Sequence, residues 1–170
     1  MSDCLYCQHI QKKTNMLFEN EHVFAMLSPQ PAIPGHVLVL PKAHAPILEV
    51  VPDFVVGDLF KVANKISMAL FEAFGAQGTN MLVQSGPVAG QKQNHAMLHI
   101  IPRAEGDGVD LSWTPKQASE EELTKSEGTI NDATKSVGSF EREKPKPKEV
   151  EAPKEVQKED PRVKFLRRIP

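Results

Sequence analysis

The stretch of sequence that decides the fold runs from His95 to Arg103 and reads His-Ala-Met-Leu-His-Ile-Ile-Pro-Arg. Histidine and methionine alternate with aliphatic residues at its start, and such alternation predicts a β-strand over residues 95–101. Side chains two positions apart on a strand project to the same face, so we expect His95, Met97 and His99 to share one face. Taken alone, two histidines at this spacing are also compatible with half-exposed strand residues that have no chemical role.

The segments before this stretch predict a small sheet and one long helix. The helix is predicted over residues 53–74, because its apolar residues recur at spacings of three and four. Asp53 suits its N-terminal end, and Gly75 suits the position after its last turn. A short helix or loop is predicted over residues 3–13, and strands over residues 15–20, 22–27, 36–40, 79–83 and 95–101. We therefore expect an α+β fold with a mainly antiparallel sheet.

Charge divides the chain of 170 residues into two parts. Residues 1–113 contain 17 charged side chains, whereas the shorter segment 114–170 contains 25. The second segment has two aromatic residues, Phe140 and Phe165, and therefore lacks the apolar surface needed for a core. We expect one domain over residues 1–113, a disordered linker rich in Pro, Lys and Glu over residues 114–160, and a basic, hydrophobic segment over residues 161–170.

The terminal segment 161–170 is the part of the chain that could recognise a protein partner. Its apolar residues lie among four basic ones, as in a docking peptide, although a solvated terminus or a segment folded onto its own domain are alternatives. A net charge of -2 gives no general attraction for nucleic acid. No apolar run is long enough to cross a membrane, and the N-terminus does not resemble a signal peptide, so we expect a cytoplasmic protein.

Two motifs could carry chemistry. Cys4 and Cys7 have the spacing of half a zinc site, which needs two further ligands, although two reduced cysteines without a metal are the alternative. The loop over residues 85–91 contains two glycines, and its successive backbone amides could hold an anion or could simply form a turn.

The order of these motifs resembles that of the histidine triad (HIT) nucleotide-binding proteins. The resemblance covers residues 1 to about 105. It rests on Cys4-x-x-Cys7, on Pro34-Gly35-His36-Val-Leu-Val-Leu-Pro41-Lys42-x-His44, on the long helix, on Ala89-Gly90-Gln91 and on His95-x-Met97-x-His99-Ile-Ile-Pro102-Arg103. It implies a HIT-like α+β fold, a homodimer, and hydrolysis or transfer at the α-phosphate of a purine nucleotide or a related molecule.

This chain departs from the family pattern at the position of the nucleophile. The central histidine of the family attacks phosphorus, whereas Met97 stands there in this sequence, and a thioether cannot form the covalent intermediate. Three polar positions expected around the nucleotide are also changed, to Ser28, Gln84 and Lys92. The remaining matches to the nucleotide site are Gly90, Gln91 and His99.

The metal ligands that the resemblance implies are all present. In zinc-bearing members they are two cysteines, the histidine after Pro-Lys-x and the first histidine of the triad, which match Cys4, Cys7, His44 and His95. Two thiolates and two imidazoles form a closed structural zinc site.

Three functions therefore remain open. The chain could bind a nucleotide without turning it over, which is the prediction we favour. It could retain hydrolase activity with His99 or a positioned water in place of the nucleophile. It could also be a zinc-stabilised dimeric scaffold whose tail binds a partner.

Overall fold

The computed structural model describes residues 4–137. The elements in chain order are α1 (Leu5–Lys12), β1 (Met16–Glu19), β2 (Val23–Leu27), β3 (Val37–Pro41), α2 (Asp53–Phe74), β4 (Gly78–Val83), β5 (Leu98–Arg103) and α3 (Glu120–Thr134). The strands form one five-stranded sheet in the order β1-β2-β3-β5-β4, and every neighbouring pair is antiparallel. The predicted α+β fold with a mainly antiparallel sheet is confirmed.

Helix α2 has the predicted bounds and covers one face of the sheet. Its buried stripe includes Leu59, Ala63 and Leu70, which recur at spacings of four and seven as a core-facing helix requires. Gly75 ends the helix in the left-handed conformation with φ of 60°, which glycine adopts without steric cost. The stripe packs on side chains from β2, β3 and β5.

Helix α1 packs on part of the opposite face of the sheet, against side chains of β2 and β3. Strand β2 sends Val23 and Ala25 towards α2, while Phe24 and Met26 point to the other face and pack with Tyr6 of α1. Strands β2 and β3 are therefore apolar on both faces, as a central strand between two helical layers must be.

Strand β5 begins later than the sequence predicts. Its pairing with β3 and β4 starts at Leu98, so His95 and Met97 lie in the approach to the strand rather than on it. The N–H of Ala96 donates to the carbonyl of Ala45 (2.6 Å). This long-range hydrogen bond takes the place of a backbone hydrogen bond to a neighbouring strand. The prediction of a strand is wrong for residues 95–97 and correct from Leu98 onward.

The chain divides into two units after Asp110, and the domain end at residue 113 stays a prediction. The second unit contains α3, in a segment for which the sequence analysis expects no regular structure. The helix is accounted for by a capping box, in which Ser119 Oγ accepts from the N–H of Glu122 and the Glu122 carboxylate accepts from the N–H of Ser119. The predicted terminal segment 161–170 lies outside the described residues.

Across residues 4–137, the helices are all too short or too polar to cross a membrane.

Candidate functional site

Four side chains with metal-binding atoms meet next to α1. The Sγ atoms of Cys4 and Cys7 and the ring nitrogens of His44 and His95 all lie within 4.8 Å of one another. His95 Nδ1 is 3.5 Å from Cys4 Sγ and 3.7 Å from Cys7 Sγ, and His44 Nδ1 is 3.4 Å from Cys7 Sγ. The structure therefore assembles the four predicted ligands into one group that could hold a metal ion.

Local structure explains why these four residues converge. Cys4 and Cys7 are three positions apart at the start of α1, which puts them on one side of the helix. His44 follows the end of β3 at Pro41, and His95 lies in the bend before β5. His95 Nε2–H donates a hydrogen bond to the carbonyl oxygen of Pro41, 3.0 Å away. His95 Nδ1 therefore carries no hydrogen and presents a lone pair to the two sulfur atoms.

A cleft of about 360 Å³ lies on the α1 side of the sheet. It brings together most of the residues that the sequence analysis assigns to a nucleotide site. The predicted residues in its lining are Ser28, Gln84, Gln91, Lys92, Met97 and His99. The predicted Gly90 lies behind the lining, where a Cβ atom would collide with the side-chain amide of Gln84.

A pair of histidines at the floor of the cleft has a defined proton arrangement. The N–H of Ala32 donates to His36 Nδ1 (3.0 Å), so neutral His36 must carry its proton on Nε2. His36 Nε2 lies 3.1 Å from His99 Nδ1 and donates to it. The proton of neutral His99 is therefore on Nε2, and this atom can donate to a ligand.

Both histidines are held neutral at physiological pH. Burial lowers the pKa of His36 from 6.5 to about 4, and the neighbouring His99 adds to this effect. Burial also lowers the pKa of His99. Protonation of either ring would place a hydrogen on a nitrogen that has to accept one, so the geometry and the pKa shifts agree.

The glycine loop does not present the open row of amides that its sequence suggests. The N–H groups of Ala89, Gly90 and Gln91 donate to carbonyls of Gly86 and Pro87. The N–H of Gly86 donates to Gln91 Oε1 (2.7 Å). Four backbone donors of the loop are thus already used, which leaves anion recognition mainly to side chains.

Gln91 stabilises the loop with both polar atoms of its side-chain amide. Its Nε2 donates to the carbonyls of Pro46 (2.6 Å) and Gln93 (2.8 Å), while its Oε1 accepts from Gly86. Lys92 follows with an exposed side chain and is the one formally charged residue among the described residues that line the cleft. The cleft therefore suits an anionic ligand better than a cationic one.

Met97 is part of the core as well as of the cleft. It is 8% exposed and packs in a cluster with Tyr6, Ile10 and four side chains of β2 and β3. The Met97 side chain therefore packs between α1 and the sheet at the edge of the cleft. A flexible apolar side chain can fill such a space.

Sequence reasoning missed several residues that line the cleft, and Tyr6 and His36 are the two that bear on its chemistry. Tyr6 lines the cleft although it lies far from the other lining residues in sequence, and its pKa is raised by burial and by Cys4. No local pattern marks it, because its place depends on where α1 packs. His36 lies within the quoted Pro34-Gly35-His36 motif, and that motif was the available signal for it.

Comparisons with known proteins agree with this geometry. The HIT domain family matches residues 9–106. An adenylylsulfatase of Arabidopsis thaliana is 37% identical over 108 residues, which cover 62% of this chain and 55% of that protein. This chain therefore spans little more than half of that relative.

Two solved structures extend the likeness to three dimensions. A HIT family protein of Bacillus subtilis has a TM-score of 0.72 and 31% identity, over 77% of this chain and 96% of that chain. A Zn-bound histidine triad family protein of Mycobacterium smegmatis has a TM-score of 0.60 and 28% identity, over 77% and 97% of the two chains. The motifs, the fold and the family match all lie in the same residues, and the chain belongs to the histidine triad (HIT) family.

Proposed function

We propose that this chain binds a purine nucleotide or a related phosphate ester and has little or no nucleotidyl-transfer chemistry of its own. The observation that carries this proposal is Met97, a thioether at the position that we assign to the family's nucleophilic histidine. Thioether sulfur has no titratable nitrogen and is a poor acceptor for a phosphoryl group. The adenylylsulfatase named above supports the choice of a nucleotide-type ligand.

His99, the remaining histidine of the triad motif in the cleft, does not replace the missing nucleophile in this proposal. His99 Nδ1 already accepts a hydrogen bond from His36, and its Nε2 carries the proton. Neither nitrogen therefore offers a free lone pair to phosphorus. His99 Nε2–H and the Lys92 ammonium instead serve as donors to the phosphate, while Gln91 holds the loop and Gly90 leaves room for Gln84.

We further propose that the Cys4, Cys7, His44 and His95 group holds zinc. Tetrahedral zinc with bonds of about 2.3 Å to sulfur and about 2.1 Å to nitrogen places the two kinds of donor about 3.6 Å apart. The sulfur–nitrogen distances of 3.4, 3.5 and 3.7 Å match this spacing. Bound there, zinc would supply structural cross-linking, and its two thiolate ligands are consistent with a reducing, cytoplasmic location.

A homodimer is the assembly that we propose. Strand β4 is an edge strand whose outer side has no neighbour within the described part of the chain, and Met81 on it is 40% exposed. Phe60 on α2 is 43% exposed, so an apolar surface is available for a second copy. A protein partner for residues 161–170 remains a separate prediction.

Calorimetric titration of the full-length, zinc-loaded protein with AMP tests the binding proposal. We expect one AMP per chain, and Lys92→Gln to weaken binding about tenfold through loss of a charge-assisted contact. Lys65→Gln is the matched control, because Lys65 lies exposed on α2 outside the cleft. Absence of binding at millimolar AMP would contradict the proposal.

Incubation with adenosine 5′-phosphoramidate tests the chemistry. We expect no release of AMP above background from the natural chain and no adenylyl group attached to a histidine. Met97→His supplies the comparison, since turnover in this variant would show that the rest of the cleft still supports the reaction. Rapid turnover by the natural chain would favour the hydrolase alternative instead.

A further inference from the structure

The candidate metal group and the cleft share two segments of chain, α1 with its N-cap and the segment that leads into β5. In α1, Tyr6 of the cleft lies between the metal-group residues Cys4 and Cys7. In the segment leading into β5, Met97 of the cleft lies between His95 of the metal group and His99 of the cleft. A shift of either segment would therefore alter both sites together.

Tyr6 and Met97 connect the two sites through packing. Each is 8% exposed, and both belong to the cluster on which Cys4 also packs. The Tyr6 ring also lies beside His95, with 6.3 Å between the ring centroids. Close-packed side chains transmit a displacement to their neighbours, because they have no space in which to absorb it.

Helix α1 has little of its own to hold it in place. It is eight residues long, well below the length at which an isolated helix is stable in water. Its N-cap, Cys4, makes no side-chain capping hydrogen bond, and Tyr6 and Ile10 are the two residues of the helix that are buried. A metal bound by Cys4 and Cys7 would fasten this weak helix to His44 and His95.

We propose that metal binding positions Tyr6 as a wall of the cleft, so that zinc and a nucleotide bind cooperatively. This inference rests on the proposed nucleotide-binding function and adds a regulator to it. When the metal leaves, α1 loosens, Tyr6 withdraws and the cleft loses a wall. Linkage is reciprocal, so a nucleotide that needs Tyr6 in place must raise the affinity for zinc by the same factor.

The test measures both halves of this linkage on the full-length chain. AMP affinity is measured by calorimetry with zinc bound and after removal of zinc by a chelator. Zinc affinity is measured by competition with a chromophoric chelator, with and without saturating AMP. We expect zinc removal to weaken AMP binding at least about fivefold, and AMP to tighten zinc binding by the same factor.

Variants of α1 separate positioning from general loss of folding. With zinc bound, Tyr6→Ala is expected to weaken AMP binding and to abolish the effect of AMP on zinc affinity. Tyr6→Phe, which keeps the ring, is expected to restore both. Gln8→Ala is the matched control, because Gln8 is exposed on the same helix and outside the cleft.

The possible failures are distinguishable. If the zinc-loaded chain binds no AMP, the proposed function itself is wrong, and the coupling falls with it. If AMP binds equally well with and without zinc to a chain whose circular dichroism is unchanged, the coupling alone is wrong. If zinc removal unfolds the chain, the variants decide, and a Tyr6→Ala chain whose zinc affinity still responds to AMP overturns the coupling.

Discussion

Acidification should destabilise the domain through His36, and the size of the effect follows from its surroundings. His36 is 6% exposed, and its pKa falls from 6.5 to about 4 on folding. Because the folded-state pKa is the lower one, the stabilisation is fully present above pH 6.5 and is lost as the pH falls towards 4. At pH 5 protonation of this histidine raises the unfolding equilibrium constant about 30-fold, which corresponds to a loss of about 2 kcal/mol in the free energy of unfolding.

The assay is urea unfolding at pH 7 and pH 5, followed by circular dichroism, for the natural chain and for His36→Gln. Glutamine offers an acceptor to Ala32 and a donor to His99 but does not titrate. We expect the natural chain to lose about 2 kcal/mol more than the variant between the two pH values. Glu19, with a pKa of about 2, stays ionised in both chains at these pH values. Equal losses in the two chains would refute the proton arrangement derived for His36.

Three other predictions concern the core, the loop and the metal group. Leu59→Ala should lower the free energy of unfolding by about 2–5 kcal/mol in urea titrations, because Leu59 of α2 is fully buried against the sheet. Gly90→Ala should weaken AMP binding in calorimetry by displacing Gln84, whereas Gly106→Ala, at a similar positive φ in open space, should affect stability alone. Cys4→Ser should reduce bound zinc well below one equivalent in metal analysis and lower the melting temperature, and unchanged values would contradict the four-ligand site.

The parts of the fold that were predictable are those fixed by local pattern. The 22 residues of α2 have a sustained apolar stripe and a glycine after the last turn, so both ends could be read from the sequence. The start of β5 could not be read from the sequence. Residues 95–97 contact Ala45 and the other residues of the metal group, which are distant in sequence. Helix α3 begins at a local motif, the capping box Ser119-x-x-Glu122, which an argument from amino-acid composition does not detect.

The candidate site divides in the same way. The four metal-group residues and six residues that line the cleft were predicted because each lies within a motif or at a position that the family resemblance aligns. Tyr6 was missed because only the packing of α1 brings it to the cleft. For the glycine loop the sequence left two alternatives open, amides available to an anion or a simple turn, and the hydrogen bonds of the loop, including the one to the side chain of Gln91, favour the turn.

The sequence separation within the metal group also sets an order of events during synthesis. Cys4 and His95 are 91 positions apart, so both thiols leave the ribosome long before the last ligand exists. At translation rates of about 5–20 residues per second, that interval lasts roughly 5–18 seconds. A zinc ion bound as we propose could not cross-link α1 to His95 until this interval ends. On the zinc site that we propose, nascent chains pass through a stage in which both cysteines lack their histidine partners and are open to oxidants and to competing thiophilic metals.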